Sequence, residues 1–104
     1  MLTAYIKAAM KRAKYEVIED PRPIFGNIEG LKGVWANEPT EEECAVTLAE
    51  VVEGWVLLGA KFGHKIPILD GIDLNMGDGL KEIQDTLALP ENARIGIQVE
   101  EEEY

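Results

Sequence analysis

The sequence predicts a single α+β domain, and three observations lead there. Short β-rich runs separated by turn residues come first, a long amphipathic helix with sharply marked ends follows them, and 104 residues with 46% hydrophobic content suffice for one modest core. A second independent domain is not expected, so residues 1–104 are read as one unit: an N-terminal helix over 1–14, a core over 15–69 and an acidic extension over 70–104.

Residues 2–14 place Leu2, Tyr5, Ile6, Ala9, Met10 and Ala13 on one face and Lys7, Lys11 and Lys14 on another, the pattern of an amphipathic helix. Its apolar face is small and alanine-rich, which suits docking on its own domain or a sister subunit better than a membrane surface. Tyr15 to Glu19 is a β-rich run that Asp20-Pro21 ends, Ile24 to Ile28 is a second, and Val34 to Ala36 a third after a turn carrying Gly30 and Gly33. Strands this close in sequence predict a three-stranded antiparallel meander.

The long helix begins at Thr40. With Glu43 three residues on, Thr40 reads as a capping box in which its hydroxyl takes the Glu43 amide and the glutamate reaches back to the Thr40 amide. Glu41, Glu42 and Glu43 suit the positive end of the helix dipole, Lys61, His64 and Lys65 the negative end, and Gly63 is the stop. Cys44, Leu48, Val51, Trp55, Leu58 and Phe62 form an apolar stripe expected to cover one face of the sheet. The first helix or another subunit is left to cover the other face. Beyond Gly63 the expectation is a short strand among Ile66 to Leu74, a helix from Leu80 to Leu87, and a late strand over Arg94 to Val99.

Charge narrows the function. Lys7, Lys11, Arg12 and Lys14 make the first fourteen residues +4, while six basic against 20 acidic residues give the remainder −14. Phosphate backbones would be repelled by such a body, which argues against direct nucleic-acid binding and for a basic protein partner. One cysteine, Cys44, forms no internal disulfide, and neither a signal-peptide core nor a membrane span is present in the pattern. A cytoplasmic protein is therefore expected.

The chemistry-bearing residue types read more simply as structure. Asp73, Asn75, Gly77 and Asp78 suggest a calcium loop, but with Asp73 as first ligand the turn-glycine position holds Asp78 and the bidentate position holds Gln84. A polar turn accounts for them, and no metal or other cofactor is expected. His64, the single histidine, has no partners for a triad and follows the helix stop. Cys44 sits near a helix N-terminus but on the apolar stripe, where a packed thiol is the simpler reading. Acids are everywhere and no pair is marked out for acid–base work, so catalysis is not expected. Trp55 reads as core, whereas Trp35 on a short strand fits core or interface equally.

The middle of the chain, YEVIED, FGNIEGLKGVWA, Thr40-Glu41-Glu42-Glu43-Cys44, the long helix to Gly63, and Ile66-Pro67, resembles the HicB family of antitoxins over residues 15–67. Glu29, Lys32 and Glu38 depart from that pattern, as does the charged His64-Lys65. The resemblance implies a partial ribonuclease H-like α+β fold without catalytic carboxylates, which blocks a small basic ribonuclease toxin of the HicA type. Many family members append an operator-binding domain. From Asp70 onward this chain has ten acids against Lys81 and Arg94 and no recognition-helix pattern, so no DNA binding is expected.

The leading expectation is thus a non-catalytic HicB-like protein, a homodimer or homotetramer that binds a HicA-like toxin. Phe25, Glu29, Leu31 and Trp35 are the candidate contact residues, although sheet packing and turn formation account for each equally well. The alternatives are an oligomeric module that serves only itself and, from another class, a ribonuclease H-like hydrolase using magnesium bound near Glu16 or Glu19.

Overall fold

A computed structural model describes residues 1–87. The expected late strand over 94–99 and the glutamate tail lie outside the described residues. The order of elements is α1 (Leu2–Met10), β1 (Ala13–Val17), β2 (Ile24–Ile28), β3 (Trp35–Glu38), α2 (Glu41–Lys61) and α3 (Gly77–Leu87). The class is the expected α+β, with the three strands antiparallel in the order β1-β2-β3.

Several boundaries differ from the helical and strand periodicities. The first helix ends at Met10 instead of continuing to Lys14, because Ala13 pairs with Ile28 and Lys14 with Asn27 at the start of β1. Its face is Leu2, Tyr5, Ala8 and Ala9, which are buried against the rest of this chain. Tyr5 is fully buried and donates from its hydroxyl to the Pro67 carbonyl at 2.6 Å, while burial pushes its pKa up to about 12. The expected strand between Ile66 and Leu74 is reduced to a single bridge, Leu69 with Ile72, across an Asp70-Gly71 turn. Both turn residues have positive φ, as an Asp-Gly hairpin turn requires, and Lys11 and Arg12 clamp the Asp70 carboxylate at 2.7 and 2.8 Å.

The capped helix forms with Thr40 as N-cap, its hydroxyl oxygen accepting from the Glu43 amide at 3.1 Å. The return contact differs from the capping box: the Thr40 hydroxyl itself donates to the Glu43 carboxylate at 3.0 Å. At the far end the amide of Gly63 (φ 76) donates to Ala60 and that of His64 to Gly59, a Schellman closure that uses the His64 backbone and leaves its ring exposed.

The buried stripe of α2 is Cys44, Leu48, Val52, Val56 and Leu57, not the expected 44-48-51-55-58-62 line. Val51, Trp55 and Leu58 flank the core half-buried, and Phe62 is 56% exposed. The first half of α2 lies on β2 and β3, and α1 and α3 pack against α2. This arrangement turns the buried line by about one residue toward the helices. Neither α1 nor any other described element covers the opposite face of the sheet.

Candidate protein-binding face

Register decides which residues look outward. Tyr15, Gly26 and Ala36 lie side by side across the three strands on the face toward α2. There the Cys44 thiol donates to the Ala36 carbonyl at 3.4 Å. Cys44 is fully buried, and that burial, with Glu38 nearby, pushes its thiol pKa up, so it is an inert core group. Strand alternation then sends Lys14 and Glu16 of β1, Phe25 and Asn27 of β2, and Trp35 and Asn37 of β3 to the other face.

On that outer face Phe25 and Trp35 stack, with ring centroids 6.0 Å apart and planes at 23°. The two are diagonal neighbours across β2 and β3, within reach for aromatic rings. Trp35 is 55% exposed, the opposite of a core tryptophan. One end of the patch is held rigidly: the Asn37 amide donates to Asp20 at 3.3 Å and to the Arg22 carbonyl at 3.2 Å, and Asp20 accepts from the Arg22 amide at 2.9 Å. At the other end Lys14 and Glu29 approach to 3.5 Å, an exposed pair worth little.

Of the four expected contact residues, Phe25 and Trp35 are brought together, and Glu29 lies at the rim. Leu31 does not belong with them. It is 2% exposed and, with Val34, plugs the core from beneath the glycine turn, because the turn folds inward through Leu31 to Ile28 and Val34 to Leu31 backbone hydrogen bonds. Glu16, Asn27 and Asn37 complete the face and were missed. Their signal is Gly26: a glycine facing α2 sets the parity of β2, but only the pairing register carries that parity to β1 and β3.

The other chemistry-bearing residues are structural. Asp73 accepts from the Asn75 amide at 2.7 Å and its side chain at 2.8 Å, bonds that hold its carboxyl below the usual range. Asn75 in turn accepts from the Ile66 amide and donates to the Ile66 carbonyl, both at 2.7 Å. Among the described residues no group of three His, Cys, Asp or Glu side chains is placed to hold a metal ion. No described helix is long and apolar enough to cross a membrane.

A helix, a three-stranded meander and a long capped helix, with an exposed aromatic outer face, define a small α+β protein. The UPF0150-like family, a HicB-like family, matches residues 4–67, which is most of the chain, and the protein belongs to it. The match runs from inside α1 to Pro67, so the N-terminal helix is part of the family pattern and α3 lies beyond it. Among solved structures, the crystal structure of TTHA0281 from Thermus thermophilus is 37% identical with a TM-score of 0.68; the match covers 73% of this chain and 94% of that one. No curated protein matches.

Proposed function

We propose that the chain is a non-catalytic, antitoxin-type protein of the cytoplasm that uses the outer sheet face to bind a small basic protein, of the HicA ribonuclease class. The observation that carries this reading is the uncovered Phe25–Trp35 stack. Large, rigid aromatic side chains are the usual anchors of protein interfaces. A net charge of −10 favours encounter with a basic partner and disfavours nucleic acid as a direct ligand. Neither a metal nor an organic cofactor enters the reading.

The test is co-expression with any small basic protein whose gene adjoins the one for this chain. The expected result is co-purification and relief of ribonuclease toxicity, with Trp35→Asp weakening binding by about 30-fold, the scale of a 2 kcal/mol anchor. Since Trp35 is largely exposed, the variant should melt like the parent. Failure to relieve the toxicity of any such neighbour sinks the proposal.

One observation favours a second reading, a homodimeric or homotetrameric module that serves only itself. The outer face sets Lys14 against Glu16 and is otherwise neutral, with Asn27 and Asn37 flanking the aromatics. A neutral aromatic patch suits a second copy. Sedimentation of a stable oligomer that Trp35→Asp dissociates, with no basic partner recovered, would establish this reading instead.

A further inference from the structure

The β1 edge of the sheet carries an unused row of backbone donors and acceptors. Where β1 meets β2, the Ile18 amide donates to the Pro23 carbonyl at 2.8 Å and the Glu29 amide to the Arg12 carbonyl at 3.2 Å. With Tyr15 opposite Gly26, both bonds make the even-numbered residues of β1 the ones that bond to β2. The amides and carbonyls of Ala13, Tyr15 and Val17 therefore point away from β2 in the plane of the sheet, and among the described residues nothing pairs with them. Such an edge is a template for a further strand. Val17 upon it is 77% exposed. The opposite edge, β3, is shorter and runs directly into Pro39, a residue that blocks strand addition.

The strand that fits this edge is β1 of a second copy. Two-fold symmetry makes the two β1 strands antiparallel, and the edge-facing residues of one must then meet those of the other. Centring the pair on residue 14 sets Lys14 against Lys14, and centring it on residue 16 sets Glu16 against Glu16, like charges that repel. Centring it on Tyr15 sets Lys14 of each copy against Glu16 of the other. That register also pairs Ala13, Tyr15 and Val17 all at once, with the exposed Val17 opposite Ala13 of the second copy. The Lys14 and Glu16 pairs fall at the non-hydrogen-bonded positions, where opposing side chains stand closest. Within its own chain Lys14 meets Glu29 at 3.5 Å, a contact too exposed to hold the ammonium. We propose that two copies of the chain join edge to edge through β1, antiparallel and centred on Tyr15, so that their sheets become one. Both Phe25–Trp35 stacks then lie on the same face of the joined sheet, and the interface is independent of what binds that face.

The test is the association state of the full chain, read by sedimentation. The parent should be a dimer. Lys14→Glu leaves only glutamates facing each other across the two-fold axis, and Glu16→Lys leaves only lysines. Each should weaken the dimer by about 30-fold, as two cross-strand charge pairs turn from attractive to repulsive. Both side chains are exposed, so each variant should melt like the parent monomer fold. Mixing the two variants should produce a heterodimer, in which every glutamate meets a lysine, and the double reversal Lys14→Glu with Glu16→Lys should restore the homodimer. Trp35→Asp should leave the dimer intact. A monomeric parent overturns the proposal, and so do single reversals that dimerise as well as the parent or a mixture that yields no heterodimer. A dimer that Trp35→Asp dissociates and Lys14→Glu does not is held by the outer face, and overturns it too.

Discussion

Replacing Gly26 by alanine tests the central contact of the fold. A Cβ at position 26 would stand 2.9 Å from Cys44 Sγ and 3.0 Å from both Cδ1 and Cε1 of Tyr15. Neither wall yields easily, since Cys44 is fully buried with its thiol on the Ala36 carbonyl and Tyr15 packs against the core. Overpacking of this kind costs about 1–3 kcal/mol, against which alanine in a strand recovers about 0.5–1 kcal/mol of backbone entropy. The net is a loss of up to about 2.5 kcal/mol centred near 1 kcal/mol, which at that centre lowers the melting temperature by roughly 5–10 °C for a domain of this size. Thermal unfolding followed by circular dichroism measures it. Adding Cys44→Ala removes the closest clash, so the double variant should lose less than the two single losses summed, by about 0.5 kcal/mol or more. Strictly additive losses, or a Gly26→Ala variant as stable as the parent, would show that α2 does not press on the sheet at this point.

Three further outcomes follow from other contacts. Gly79→Ala should be more damaging, by about 3 kcal/mol or more, because its Cβ would collide with the Asp73 carbonyl oxygen and Leu74 Cα, which are backbone; hydrogen exchange should show α3 detached from the 66–75 loop. Tyr5→Phe leaves the Pro67 carbonyl without its 2.6 Å donor and should cost about 1–2 kcal/mol in denaturant unfolding. Arg12 and Lys11 hold the Asp70 carboxyl at about 2, below its unfolded value, so its contribution is present above about pH 4 and is lost as pH falls toward 2; Asp70→Asn should flatten the stability profile within that window.

The sequence by itself determined the features that depend on a few neighbouring residues. Thr40 caps α2 because its hydroxyl needs only the Glu43 amide three residues on, and Gly63 ends it because the left-handed turn closes on Ala60 and Gly59. Ile24 to Ile28 was readable for the same reason, a β-rich run between turn residues. Tertiary structure decided what depends on partners distant in the chain. Ala13 leaves the helical pattern because Ile28, fifteen residues later, offers a ladder, and helical periodicity cannot register that competitor. Trp35 faces outward and Leu31 inward because cross-strand register and an inward turn assign their sides. The α2 stripe turned toward Val52 and Val56 because burial reflects the neighbours of a helix as well as its own spacing. Val52 and Val56 are enclosed, whereas Trp55, Leu58 and Phe62 border an open groove at the end of α2. Local bonds are written along the chain; which apolar surface stays open is settled only when distant elements compete to cover it.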